Sequence, residues 1–164
     1  MKDGGEQSHV GDGESNEPTP PAEAIVRRLI DEGFSRGCLE VADALVADDL
    51  TEHQNYGPHH PPGPAGVKAV ITSLRRAFPD FRLKIEDLAV SGDLVWTRNV
   101  ATGTNDGSFM GHPPTGRSIR IDVLHVLRVV DGKIVEHWGV PDRLGALAQI
   151  GVSNAEGGNT FAPR

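Results

Sequence analysis

The sequence predicts an α+β fold in which three N-terminal helices pack on one face of a curved, mainly antiparallel sheet. Two patterns favour it: apolar residues recur with the helical period in the first half of the chain, and the period drops to two after Pro79. The three helices precede the strands, which is typical of helices packed on one face of a sheet. The length of 164 residues suits a single domain.

The first helix is predicted to begin after Pro20-Pro21, because proline is favoured at a helix start, and to end near Gly33 or Gly37. A second short helix is predicted over Leu39–Leu50. Four prolines lie between Glu52 and Pro64, so that segment is predicted to be irregular. The third helix is predicted to begin at Pro64 and to stop before Pro79.

Four strands and a final helical turn are predicted after Pro79 from alternating apolar residues bounded by glycine, proline and aspartate. The segments are Phe81–Glu86, Leu94–Thr102, Ile119–Val130, Ile134–Val140 and the turn Leu144–Ile150. Ser91-Gly92-Asp93 is a turn signal, a Gly/Pro-rich loop spans 103–116, and Asp131-Gly132 is the strongest hairpin signal in the chain.

Both ends of the chain have the composition of tails. Residues 1–17 carry five acidic residues against one lysine, within a net charge of −7 for the whole chain. Residues 1–20 are therefore predicted to be a disordered acidic tail, 152–164 a second tail, and 21–151 the folded domain.

Composition excludes several classes of partner. The chain is net negative and its Lys and Arg are scattered, so nucleic acid is not an expected partner. With a single cysteine, Cys38, no internal disulfide or Cys-rich zinc site is expected. No long apolar run or secretory signal is present, so we expect no membrane partner and a cytoplasmic location.

The register of the predicted hairpin decides which polar residues share a pocket. A loop of Asp131-Gly132-Lys133 sets Arg128 opposite Glu136 and His125 opposite Gly139, and places His125 and His137 on one apolar face. A two-residue loop instead sets His125 opposite Trp138 and turns His137 away. We favour the first register because it pairs opposite charges. The other face mixes apolar and charged residues and is a candidate dimer surface; its members are Arg120, Asp122, Leu124, Val126, Arg128, Ile134, Glu136 and Trp138.

An apolar face with two histidines and a glycine is typical of a ligand pocket, and histidine and aspartate suit acid–base catalysis. The candidate catalytic residues are His53, His125, His137 and Asp142. The candidate substrate-binding residues are Tyr56, Trp96, Phe109, Met110 and Trp138. Each catalytic candidate has a structural alternative: a buried core histidine for His125, a cap or solvated residue for His53, and the N-cap of the last helical turn for Asp142.

Other chemistries have less support. Three histidines can in principle hold a metal, but no HExxH or HxH spacing is present, and no metal or cofactor is expected. There is no Gly-rich phosphate loop between a strand and a helix and no GxSxG motif. Asp122 beside Arg120 or Arg128 is most simply a surface ion pair, and is a lesser catalytic candidate in the alternative register.

Several segments resemble the SnoaL-like polyketide cyclase family. They are the loop Gly103–Arg117, the stretch Arg128–Trp138 and the closing segment Pro141–Gly151, and the resemblance extends over about residues 22–151. It implies a cone-shaped fold with a deep apolar pocket that holds an apolar small molecule, and often a homodimer. The aldol cyclases of this family close a ring by acid–base catalysis without metal or cofactor.

By position, the resemblance assigns His125 to the pocket histidine of the long strand, His53 to the polar residue after the second helix, and His137 and Asp142 to the closing motif. It also reveals a departure, because Gly139 stands where those aldol cyclases carry their catalytic aspartate. The first hypothesis is therefore a cofactor-independent acid–base enzyme, of the cyclisation or isomerisation class, acting on an apolar carbonyl compound. The alternatives are a non-catalytic binding protein and a hydrolase- or hydroxylase-type member of the family.

Overall fold

A computed structural model of the chain describes residues 20–152, and it has the predicted α+β architecture. Helix α1 continues without a break into π-helical turns, and a strand, β1, separates the second helix from the third. The elements are α1 Ala22–Arg28 with its π-helical continuation Leu29–Ser35, α2 Glu40–Leu45, β1 Val46–Glu52, α3 Gly63–Ala77, β2 Arg82–Ser91, β3 Leu94–Thr104, β4 Ser118–Val130, β5 Lys133–Pro141 and α4 Arg143–Gln149.

The five strands form one mixed sheet in the order β1-β5-β4-β3-β2. The neighbouring strands from β2 to β5 are antiparallel to one another, and β1 lies parallel to β5 at the edge. The hydrophobic core lies between the inner face of this sheet and the helices. Its largest fully buried side chains are Phe78, Ile25, Ile71, Ile134 and Ile150.

The predicted second helix is too long in the sequence-based interpretation. Helix α2 ends at Leu45, and the backbone turns extended at Val46 to pair with β5. The apolar positions Val46 and Leu50 fit a helical spacing, but they also have the even spacing of a strand face. Pairing with the edge of the sheet satisfies the strand's backbone groups, and it turns Val46, Leu50 and Glu52 to the inner side.

The β4–β5 hairpin combines features of the two registers considered above. Its turn has two residues, Asp131 and Gly132, both in the left-handed region (φ 49° and 78°), and Val130 pairs with Lys133. A bulge at Val135 then shifts the pairing, so that Arg128 lies opposite Glu136 and His125 lies opposite Gly139, as in the favoured register.

The bulge also corrects one assignment of the predicted faces. Ile134, which was predicted to lie on the outer face, pairs with Val129 and is only 1% exposed in the core. Because the extra residue follows Ile134, the alternation of side chains is restored only from Glu136 onward, where the prediction is correct. The predicted tails 1–20 and 152–164 lie almost entirely outside the described residues.

Candidate active site

The inner face of the sheet and the helices enclose a cavity of about 510 Å³, within the usual range for a small-molecule site. Its walls are mainly apolar, contributed by α3, by β2 to β4 and by the 105–117 loop. A smaller chamber of about 60 Å³ adjoins it toward β1. The two chambers share the side chains of Phe34, Tyr56, His60, Val70, His125 and His137.

Three side chains at this junction form a continuous hydrogen-bonded chain. His125 Nδ1 lies 2.8 Å from His137 Nε2. On its other side, His137 Nδ1 lies 2.8 and 2.9 Å from the two carboxylate oxygens of Glu52. The side chains of His137 and Glu52 are 13% and 20% exposed, so water screens this contact only weakly. The structure thus brings two of the four predicted catalytic residues together, and it adds a carboxylate that the sequence-based interpretation missed.

Glu52 reaches His137 because of the parallel pairing of β1 with β5. The two residues are direct partners in the register, and both side chains point inward. The Gln54 backbone N–H also donates to Glu52 Oε1, at 2.7 Å, which fixes the carboxylate. The signal for Glu52 in the sequence is the even spacing Val46, Leu50, Glu52, which is visible only if this segment is treated as a strand.

The hydrogen bonds fix the tautomers of the pair. A carboxylate only accepts, so His137 must carry its proton on Nδ1 and present the lone pair of Nε2. His125 must then donate from Nδ1, and its Nε2 keeps a free lone pair with no hydrogen-bond partner among residues 20–152. Burial, and secondarily the neighbouring His137, lower the pKa of His125 from 6.5 to about 3, so this ring is neutral at ordinary pH.

Tyr56 and Gln54 bring further polar groups to the cavity. Tyr56 lines both chambers and its ring stacks on His60, with centroids 4.5 Å apart. Burial and the nearby Glu52 raise the pKa of the Tyr56 phenol, which therefore remains a hydrogen-bond donor. Gln54 lines the larger chamber. Tyr56 was predicted to bind substrate, whereas Gln54 and His60 were not identified from the sequence.

Phe109 and Met110 also line the larger chamber, as expected for two of the predicted substrate-binding residues. Phe109 packs edge-on against the buried ring of Phe78, with centroids 5.0 Å apart. Met110 is 52% exposed and has a positive φ of 49°, which places it at the rim of the loop.

The structure places His53 on the opposite face of the sheet from the histidine pair. It follows Glu52, and because successive side chains of an extended chain alternate, it points outward. Its ring stacks on Trp138, with centroids 4.5 Å apart, and its Nε2 lies 2.8 Å from Glu136 Oε1. The grouping of His53 and Trp138 with the pocket residues is therefore wrong.

Trp96 and Asp122 lie on the outer face as well. Trp96 pairs with Val126, which pairs in turn with Trp138, so the three form one row across the outer side of the sheet. Trp96 is 50% exposed and lines neither chamber, which corrects its predicted role in substrate binding. The Asp122 carboxylate lies 3.5 Å from Arg98 at the surface, a contact of the kind predicted, although with a different arginine.

Asp142 caps a helix, which is the structural alternative considered for it in the sequence analysis. It is the N-cap of α4, and its Oδ1 accepts a hydrogen bond of 2.8 Å from the Gly145 N–H. Its side chain is exposed and lines neither chamber, whereas its neighbours Pro141 and Arg143 line the larger one.

Two further findings concern the described residues as a set. Across residues 20–152, no three His, Cys, Asp or Glu side chains are arranged to hold a metal ion. No helix of this part of the chain is long and apolar enough to cross a membrane.

Comparison with known proteins agrees with this architecture. The sequence model of the SnoaL-like polyketide cyclase family matches residues 24–150. The chain is 32% identical over 133 residues to the aklanonic acid methyl ester cyclase DauD of Streptomyces sp. (strain C5), covering 77% of this chain and 80% of the relative. It is 31% identical to the nogalonic acid methyl ester cyclase of Streptomyces nogalater, covering 72% of this chain and 89% of that one.

Among solved structures, the chain is similar to IdmH of Streptomyces antibioticus, with a TM-score of 0.71 and 38% identity, covering 81% of this chain and all of that one. It is also similar to TsrD of Streptomyces laurentii, with a TM-score of 0.71 and 25% identity, covering 79% and 97% of the two chains. The family match spans nearly the whole described domain, cavity included. The chain therefore belongs to the SnoaL-like polyketide cyclase family.

Proposed function

We propose that this protein closes a ring in an apolar polyketide carbonyl compound by acid–base catalysis without a cofactor, and that the reaction takes place in the 510 Å³ cavity. The observation that carries the proposal is the chain Glu52–His137–His125, which ends at a free nitrogen of His125. Relatives of the chain are named as cyclases of aklanonic and nogalonic acid methyl esters. We take that class of compound, methyl esters of polyketide acids, as the substrate class.

An aldol ring closure needs one proton to leave a carbon beside a carbonyl group and one proton to reach the alkoxide that forms. In the proposed first step, His125 Nε2 takes the C–H proton while His125 Nδ1 passes its proton to His137 Nε2. The carbanion then attacks the second carbonyl carbon and the new C–C bond forms. In the last step, His125 Nε2–H donates to the alkoxide and recovers the Nδ1 proton from His137. No atom is gained or lost, so the product is an isomer of the substrate.

This relay explains how a buried histidine with a low pKa can act as the base. If the positive charge stayed on His125, burial would make protonation costly, as the pKa of about 3 shows. When the proton moves on, the charge lies on His137, which is in contact with the Glu52 carboxylate. The pair therefore works as base and acid in turn while the charge remains beside an anion.

The arrangement supports this function better than the alternatives from the sequence. Hydrolysis by a water molecule held between Asp122 and an arginine would need that pair to face the cavity, but the Asp122 carboxylate is 70% exposed at the surface beside Arg98. A plain binding protein has no need of a carboxylate that orients two histidines in series. The chain has Gly139 where the aldol cyclases that it resembles carry an aspartate, and Glu52 brings a carboxylate to His137 from β1.

The test is ring closure of aklanonic acid methyl ester by the purified protein, followed as an isomer with a changed chromatographic retention and an unchanged mass. We expect His125→Ala to lower turnover by about 10²–10⁴-fold, the usual contribution of a general acid–base group. His53→Ala is the matched control and should keep turnover within about twofold, because His53 lies on the outer face. Equal rates for the two variants would contradict the proposal.

We also propose that two copies associate through the outer face of the sheet. This face exposes Trp96, Leu124 and Val140 to 50%, 51% and 66%, next to the row Trp96–Val126–Trp138. Sedimentation analysis should give a dimer for the parent chain and a monomer for Leu124→Lys; a parent monomer at 100 μM, or about that concentration, would refute it. Independence of metal and cofactor, the cytoplasmic location and the absence of a nucleic-acid partner remain predictions.

A further inference from the structure

The cavity contains a second polar group whose position depends on a missing side chain. A β-carbon built at Gly139 would overlap Gln54 Oε1, and it would lie 2.9 Å from His137 Cε1. The Gln54 amide therefore occupies the space that any other residue at position 139 would fill. Gly139 has no left-handed φ, so its backbone conformation does not require glycine. A larger residue at position 139 would instead have to displace the Gln54 amide.

This amide lines the same cavity as the histidine pair. His125 and Gly139 are direct partners across β4 and β5, and on one face such partners have β-carbon positions about 4.5–5.5 Å apart. Gln54 lies over the Gly139 position, so its amide and the His125 ring share one side of the cavity. Within residues 20–152, the Gln54 side chain has no hydrogen-bond partner, although the amide offers both a donor and an acceptor.

We propose that Gln54 is a substrate-specificity residue, and that it selects ligands with two oxygen functions on one edge of an apolar ring system. One oxygen meets His125 Nε2 and the second hydrogen-bonds to the Gln54 amide. Mostly apolar cavities fix a ligand's orientation through a few polar groups, and the half-buried Gln54 amide, once a bound ligand covers it without pairing, disfavours the ligand that lacks the second oxygen. This inference rests on the proposed function insofar as the substrate occupies the cavity.

The test is binding rather than turnover, so that it does not depend on ring closure. The probes are 1,8-dihydroxynaphthalene and 1-naphthol, which carry two oxygen atoms and one oxygen atom on the same edge of an apolar ring system, and affinities are measured by absorbance or fluorescence titration. We expect the parent chain to bind the dihydroxy probe about tenfold more tightly, the effect of one good hydrogen bond in a buried site. Gln54→Ala should reduce that ratio to about one, through weaker binding of the dihydroxy probe.

Two further variants test whether the effect of Gln54→Ala on the affinity ratio comes from the lost amide or from a general change in the cavity. Gly139→Ala should displace the amide and reduce the ratio in the same way, and in the Gln54→Ala background it should have no further effect on the ratio. Asn55→Ala is the matched control. Asn55 also lines the larger chamber, but its Oδ1 already accepts from the Gly57 N–H, so the ratio should remain near that of the parent. Circular dichroism melting checks that each variant is folded.

The outcomes distinguish this inference from the proposed function. If the ratio falls in Gln54→Ala and Gly139→Ala while the parent closes no ring, the specificity role stands and the proposed reaction is wrong. If ring closure occurs but Gln54→Ala keeps the tenfold ratio, the specificity role is wrong and the reaction stands. A parent chain that binds neither probe, or binds both equally, overturns the specificity role. So does a Gly139→Ala effect that persists undiminished without the Gln54 amide.

Discussion

Replacing Glu52 with glutamine removes one negative charge from the catalytic chain and leaves its shape nearly unchanged. A glutamine oxygen can still accept from His137 Nδ1, now 2.8 Å from the carboxylate, and from the Gln54 N–H at 2.7 Å. What disappears is the attraction between the anion and the positive charge that His137 carries during the reaction. At about 4 Å and an effective dielectric constant near 20, two unit charges attract by about 4 kcal/mol. The side chains of His137 and Glu52 are 13% and 20% exposed, so we take the attraction between the two charges to be about 2–3 kcal/mol after partial screening by water.

That energy corresponds to a decrease in kcat of about 30- to 150-fold for Glu52→Gln, with KM changed less than about threefold, because the charge interaction develops only during proton transfer. The assay is the initial rate of ring closure of aklanonic acid methyl ester. Glu136→Gln is the matched control, since Glu136 pairs with Arg128 and His53 on the outer face.

Glu52 acts through His137, so a second measurement must distinguish the loss of charge from a loss of orientation. ¹⁵N spectra of the histidine side chains should show His137 protonated on Nδ1 in the parent chain and also in Glu52→Gln, because the glutamine oxygen still accepts from Nδ1. The reasoning is refuted if Glu52→Gln keeps kcat within about twofold of the parent, or if the loss of activity is accompanied by a change of the His137 tautomer.

Three further predictions concern stability. The pKa of His125 is lowered from 6.5 to about 3 on folding, so below pH 6.5 the unfolded chain binds a proton that the folded chain does not. The free energy of unfolding therefore falls as the pH drops from 6.5 toward 3. Urea unfolding between pH 6.5 and 4.5 should show a slope of up to about 1.4 kcal/mol per pH unit, and this slope should be absent in His125→Phe. Asn99→Ala should lower the free energy of unfolding by about 1–3 kcal/mol, because the fully buried amide donates to Thr97 Oγ1 and the Val123 carbonyl; an unchanged urea midpoint would contradict this. Gly132 has a φ of 78°, so Gly132→Ala should lower the free energy of unfolding by about 1–2 kcal/mol, as measured by thermal unfolding. An unchanged Tm would mean that the turn relaxes to accept alanine and would contradict this prediction.

The sequence predicts strands β2 to β5 and most helix boundaries because each has its own period and its own stop signals. Helix α3 was predicted from Pro64 to Pro79 and extends over Gly63–Ala77. Segment 46–52 was misassigned because Val46 and Leu50 satisfy both a helical and a strand spacing over so short a length. What decides between them is the exposed edge of β5, a partner that lies more than 80 residues away in the chain and leaves no local signal.

In the candidate site, too, the residues placed by local signals were predicted and the residue placed by a long-range strand pairing was missed. His125 and His137 were predicted to share a face, because they lie on two strands joined by a short hairpin whose charge pairing can be read from the sequence. Glu52 was missed because it reaches the pair only through the parallel edge strand. His53 was proposed as catalytic because the resemblance matched it to the polar residue after the second helix. It lies one residue beyond Glu52, and in an extended chain one residue is the difference between the two faces of a sheet.

The bulge at Val135 has a consequence for aligning this hairpin with its relatives. Val130 faces Lys133 and Val129 faces Ile134, whereas Arg128 faces Glu136, so Val135 has no partner in the ladder. A relative that lacks this one residue would form a regular hairpin with the same facing pairs, and its equivalent of His137 would still point inward. A one-residue gap in an alignment therefore belongs at position 135. Placing it closer to the turn would misassign the inner residue Ile134, and placing it beyond Glu136 would misassign the active-site histidine.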